Sequence, residues 1–145
     1  MTVEVALAVL EWEGQWLVQL RDDAPGIVAP GLWGLFGGHL DPGESAPEAV
    51  RRELLEEINW WAEEPLPFWF RHVNAARIAH VFRAPLPLRL ESLQLLEGQD
   101  MVLASLKQLR RGAVWSPKLC EWRGLAPSLS FALAALDSGP SPIHT

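Results

Sequence analysis

Residues Ser45 to Asn59, SAPEAVRRELLEEIN, carry helix signals at both ends, and a glycine-rich stretch runs directly into them. The Ser45 hydroxyl can cap the first free amides while Glu48, three positions on, reaches back as the partner of a capping box. Pro47 suits the first turn, where its missing N–H would go unpaired in any case. A helix is therefore predicted from Ala46, with Val50, Leu54, Ile58 and Trp61 spaced to form one inward stripe. Asn59 tolerates the left-handed conformation common just past a helix end, so the helix should stop there. Upstream, Gly37-Gly38 and Asp41-Pro42-Gly43 are expected to break regular structure.

On either side the chain reads as strands. Thr2–Leu10 and Trp16–Leu20 form a predicted hairpin across Glu13-Gly14-Gln15. A surface loop over Arg21–Gly31, marked by Pro25-Gly26 and Pro30-Gly31, leads to a further short strand at Leu32–Phe36. Pro67–Val73 and Arg77–Leu86 make two more, joined at Asn74-Ala75-Ala76, with Trp69 and Phe82 as core anchors. A last short strand is expected at Leu93–Leu96, before the polar turn Glu97-Gly98-Gln99-Asp100. A final helix over Pro127–Leu136 starts poorly capped by Ala126. Strands flanking a central helix, with a second helix at the end, imply an α/β (α+β) fold in which helices cover a mixed sheet. The chain has 145 residues, 49% of them hydrophobic. That length and composition suit one domain over residues 1–137, followed by a flexible Pro-, Gly- and Ser-rich tail, 138–145.

Several function classes lose ground on composition. No apolar run approaches the roughly 18 residues of a membrane span, and the opening MTVEVALAVLEWEG lacks the features of a signal peptide, so a cytoplasmic protein without a membrane partner is expected. A net charge of −6 opposes binding of a nucleic-acid duplex, which depends on clustered basic residues. A small phosphate ligand stays compatible, because bound metal ions can dominate the local field of an acidic site. The single Cys120 reads as core filler without chemistry.

The helix carries the candidate chemistry. Glu53, Glu56 and Glu57 fall within an arc of about 100° beside the apolar stripe, so three carboxylates border the core. Such spacing is repulsive by a few tenths of a kcal/mol per pair, and Arg51 and Arg52 offset part of it. A hard divalent cation, Mg²⁺ or Mn²⁺, would offset it more fully. On the helix alone, a salt-bridged solvated face is the better reading. The loop Gly37–Gly43 shifts the balance, because glycines let a backbone carbonyl turn toward an ion and a phosphate come close.

The same segment, GHLDPGESAPEAVRRELLEEINW, resembles the Nudix box, G-x5-E-x7-R-E-U-x-E-E-x-G-U with U apolar. Gly38, Glu44, Arg52, Glu53, Glu56 and Glu57 supply six of its seven fixed residues, and Leu54 the first apolar one. Such a match arises by chance on the order of once in 10⁴ sequences. Asn59 stands in place of the second glycine and Trp60 in the final apolar position. The resemblance implies an α/β/α sandwich and a hydrolase of nucleoside diphosphate derivatives, in which water attacks phosphorus with the help of metal ions held by the box helix. It implies Glu53, Glu56, Glu57 and the Gly37 carbonyl as metal ligands, Glu53 as the group that orients or deprotonates the nucleophile, and Arg52 as the residue that holds loop and carboxylates, with Glu44 as its partner. Glu97 resembles an extra acidic residue contributed to the metal by some members, against an equal reading as a solvated turn residue. Arg21, Gly38 and His39 are candidates for contact with a substrate phosphate, His39 ranking with Asp100 behind Arg21. Trp33, Trp69 and Phe70 read as core rather than as stacking platforms.

Nucleotide sugars and (deoxy)nucleoside triphosphates lead as substrates. Members acting on ADP-ribose or dinucleoside polyphosphates resemble each other by a Pro or Tyr where this chain has Ala75-Ala76-Arg77. The rival readings are a nucleotide-binding sensor of the same fold and a helix with no ligand. Oligomeric state stays open, homodimers being common in the family.

Overall fold

The computed structural model of the chain describes residues 2–87 and 89–139. Strands β1 (Val3–Trp12) and β2 (Gln15–Leu20) form the expected hairpin. Its two-residue turn, Glu13-Gly14, takes positive φ at both positions, which matches the twist of the flanking strands. The pair stays together only near the turn, from Leu10↔Leu17 to Trp12↔Gln15. Beyond that the two strands part.

The gap between them is filled by β3 (Trp33–Gly34) and β4 (Phe36–His39). β3 pairs with β2, and β4 pairs with β1 over Val5–Ala8, so the chain changes partner at Leu35. The single strand expected at Leu32–Phe36 is thus two. Gly37-Gly38, expected to break structure, instead forms the body of β4. Strands β5 (Phe68–Val73) and β6 (Arg77–Pro85) follow the helix. β6 runs parallel to β1 and the other pairings are antiparallel, which makes the sheet mixed, as predicted.

The remainder departs further from the prediction. Leu93–Leu96 is not a strand. Its amides at Gln94 and Leu96 donate to the carbonyls of Ile58 and Glu57, orphaned at the helix end. The strand lies later, as β7 (Asp100–Ser105), paired along the whole of β2. Helix α1 (Ala46–Ile58) has the predicted capping box and the left-handed Asn59. A short helix α2 (Leu106–Arg110), the hairpin β8 (Ala113–Ser116) with β9 (Glu121–Gly124), and α3 (Pro127–Ser138) complete the described chain. α3 extends through Ser138, where a tail was expected, and Gly139 caps it. The rest of that tail, 140–145, lies outside the described residues.

Alternation along β1 divides the core. Val5, Leu7 and Val9 face α3 with Trp16, Trp33, Leu129 and Leu133. Ala6, Ala8 and Leu10 face α1 with Leu17, Phe36, Val50, Leu54 and Ile58. The result is an α/β/α sandwich. Phe82 is a core anchor, but Trp69 is only partly buried, edge-on to Trp16. Trp61 does not extend the helix stripe: the chain turns away at Asn59, leaving its ring half exposed beneath the Arg51 guanidinium. Cys120 lies exposed between β8 and β9 rather than in the core.

A carboxylate helix against a glycine strand

α1 packs against β4, and two close approaches define the contact. Gly37 has φ +133, and a Cβ there would lie 2.0 Å from the Ala6 carbonyl oxygen of β1. A side chain is excluded. Its N–H donates to Glu57 Oε1 at 2.8 Å. At Gly38 a Cβ would meet Glu53 Oε1 at 2.6 Å, so the Glu53 carboxylate lies directly on the strand. Both glycines lie against neighbours that are remote in sequence, backbone at Gly37 and a movable side chain at Gly38.

Arg52 organises the other side. Its Nε and Nη2 donate to the two oxygens of Glu44, at 2.8 and 2.9 Å. Nη2 also donates to the His39 carbonyl, and Nη1 donates to Glu53 and Glu56. A planar guanidinium is suited to such a set, since its donors are fixed in one fork. Glu44 is held to the loop as well, because the Asp41 amide donates to it. These two donors hold the Glu44 carboxyl below its ordinary value, the Arg52 bond contributing most.

The three helix glutamates differ in environment. Glu57 is 3% exposed, and burial pushes its carboxyl up to about 8, against the Gly37 hydrogen bond that favours its charged form. Glu53 is raised as well, chiefly by burial, with Arg52 opposing. Glu56 is the outermost of the three, 46% exposed. Among the described residues no three acidic side chains already converge as a finished cage. Arg52 draws Glu53 and Glu56 to itself while Gly37 holds Glu57.

A cavity of about 350 Å³ opens over this contact. It brings together the predicted Gly37, Gly38, His39, Glu53, Glu56, Glu57, Arg21 and Glu97. Arg52 and Glu44 stand behind it. Arg21 donates to the Val28 carbonyl and thereby braces the loop Arg21–Gly31. Asp100 does not belong to the cavity; it is buried, accepting from Ser116 Oγ at 2.7 Å and from the Met101 amide. Trp33 is core, with its Nε1–H donating to the Val114 carbonyl.

The lining also includes Gln19, Asp22, Ile27, Asp41 and Gly98, none of them a site candidate from sequence. Gln19 had a signal. It is a polar residue inside the apolar run WLVQL, at a position whose parity with Leu17 turns it toward α1.

The fold and site define a class: an α/β/α protein with an arginine-braced carboxylate helix laid on a glycine strand. The NUDIX domain family model matches residues 1–122, and the chain belongs to that family. A Bacillus subtilis protein named "Putative 8-oxo-dGTP diphosphatase" is 48% identical over 52 residues, 36% of this chain and 31% of that protein. The Escherichia coli nucleoside triphosphatase NudI is 37% identical over 54 residues, 37% of this chain and 38% of that protein. The matched stretches thus span about a third of these relatives. The MutT protein of Methanosarcina mazei superimposes with a TM-score of 0.69 at 20% identity, covering 95% of this chain and 94% of that one, a likeness of fold. No helix among the described residues is long and apolar enough to cross a membrane.

Proposed function

We propose that the chain is a divalent-metal-dependent hydrolase that cleaves a diphosphate linkage in a nucleoside diphosphate derivative, a (deoxy)nucleoside triphosphate or a nucleotide sugar. The observation that carries the reading is the pair of contacts Gly37–Glu57 and Gly38–Glu53, which set two glutamates of α1 at the floor of one cavity. The two sequence relatives, named as a diphosphatase of 8-oxo-dGTP and a nucleoside triphosphatase, favour triphosphates over nucleotide sugars.

The donor set fits Mg²⁺ or Mn²⁺. Oxygen ligands suit hard cations, and a carboxylate as buried as Glu57 is disfavoured as an anion without a compensating charge. Glu53, Glu56 and Glu57 would hold the ion, with Glu97 and the Gly37 carbonyl as further ligands. Bound there, it would supply charge neutralisation for phosphate oxygens. Arg52, through Glu44 and the His39 carbonyl, keeps loop and helix in register, so that Glu53 and Glu56 need only turn their carboxylates from the guanidinium to the ion. Glu53 orients the attacking water or takes its proton. Arg21, the Gly38 backbone and His39 border the space left for the phosphates.

A panel of nucleoside triphosphates, nucleotide sugars and dinucleoside polyphosphates, assayed with Mg²⁺ or Mn²⁺ for release of phosphate, pyrophosphate or nucleotide, tests the proposal. Turnover of a triphosphate or nucleotide sugar is expected. Binding of nucleotides without turnover of any would replace it with the sensor reading.

A further inference from the structure

Glu97 reaches the cavity on a strap that is sewn down on both sides. At its start, the Gln94 and Leu96 amides donate to the Ile58 and Glu57 carbonyls of α1. At its end, the Gln99 amide donates to the Leu20 carbonyl of β2 and the Gln99 side chain to the Arg21 carbonyl, both at 2.8–2.9 Å. In between, Gln19 Nε2 donates to the carbonyl of Glu97 itself at 2.9 Å. Gln19 is only 3% exposed. Gly98 lies on top of it, with φ +94 and room for no side chain: a Cβ would meet the Leu20 carbonyl at 2.8 Å and Gln19 Cγ at 2.9 Å.

We propose that Gln19 is a positioning residue, which by its bond to the Glu97 carbonyl holds that carboxylate at the cavity opposite α1. The proposal rests on the hydrolase reading in so far as Glu97 serves the metal. A buried amide is a costly way to fill an otherwise apolar strand face unless its donors are used, and here a donor is used on the backbone carbonyl of Glu97, an acid that lines the cavity. Gly98 acts from the other side, allowing the strap to lie flat on Gln19.

The test is a double-mutant cycle read by calorimetric titration of the nucleotide-free protein with Mn²⁺. Gln19→Met keeps the volume and removes the donor, and Glu97→Gln removes the charge. Each single variant should weaken Mn²⁺ binding about threefold to tenfold, and the double variant should bind no more weakly than Glu97→Gln alone, because the two changes act on one ligand. Gly98→Ala, whose methyl group would meet the Leu20 carbonyl and the Gln19 side chain and so lift the same strap, should reproduce the loss. A Gln19→Met effect that persists in full in the Glu97→Gln background, unchanged Mn²⁺ binding in Gln19→Met, or a wild-type chain that takes up no Mn²⁺ overturns the proposal. Coupled Mn²⁺ binding without hydrolysis of any nucleotide would sustain it while overturning the hydrolase reading.

Discussion

The α-carbon of Gly38 lies so close to the Glu53 carboxylate that a methyl group there would sit 2.6 Å from Oε1, whereas the same group on Gly37 would meet backbone of β1 at 2.0 Å. Adjacent glycines therefore serve different ends: one leaves room for a movable acid, the other for the sheet.

Alanine at the two positions should separate these roles. Gly38→Ala can be accommodated by moving the end of the Glu53 side chain, so the protein should fold with a melting temperature near that of the wild type. Its turnover should fall about 10²-fold, as expected for a misplacement of roughly 1 Å. Gly37→Ala forces the backbone and should destabilise by roughly 2–4 kcal/mol. Paired thermal melts and kcat measurements check this, and equal loss of stability in both variants would contradict it.

Glu57 makes a pH prediction with a definite sign. Its carboxyl titrates at about 8 when folded, against an ordinary 4.5. Between those values the folded state holds more protons than the unfolded one, so its contribution to stability is complete below pH 4.5 and is lost as pH rises toward 8. Metal-free protein should melt at progressively lower temperature across that window, and Glu57→Gln should flatten the slope. Added Mg²⁺ should raise the melting temperature more at pH 8 than at pH 5, since the ion binds the deprotonated carboxylate.

Glu56→Gln and Glu57→Gln should each lower turnover by at least about 10²-fold. Metal-free stability should hold or rise slightly in Glu57→Gln, because a buried carboxylate is disfavoured as an anion, and fall slightly in Glu56→Gln, which gives up its ion pair with Arg52. Wild-type rates in both variants would mean that the metal is held elsewhere.

Arg52→Lys keeps the charge but cannot reproduce the fork onto Glu44, Glu53 and Glu56. Loss of those charge-assisted bonds should cost about 1–3 kcal/mol in denaturant unfolding and should reduce kcat more than it changes KM. A variant with unaltered kcat would remove Arg52 from the positioning role.

Local signals were read correctly where the physics is local. The capping box at Ser45, the left-handed Asn59 and the Glu13-Gly14 turn each depend on residues within four positions, and all are present. Readings failed where a distant partner decides. β7 is marked only by the short run DMVLAS, and it is a strand because β2 lies alongside it. Leu93–Leu96 has the apolar character of a strand, yet it serves the carbonyls at the end of α1. Trp61 has helical spacing, but the helix ends before it.

The same division runs through the site. Residue types and spacing alone determined that Glu53, Glu56 and Glu57 share one side of a capped helix and that Arg52 lies among them, because helical geometry follows from the chain itself. Tertiary structure alone decided that Gly37 and Gly38 are a strand, that their backbone receives Glu57 and Glu53, and that Gln19 and the strap bearing Glu97 close the far side of the cavity. Those contacts join residues about fifteen to eighty positions apart, and such pairings follow from which strands a splayed hairpin leaves open, a property of the assembled sheet.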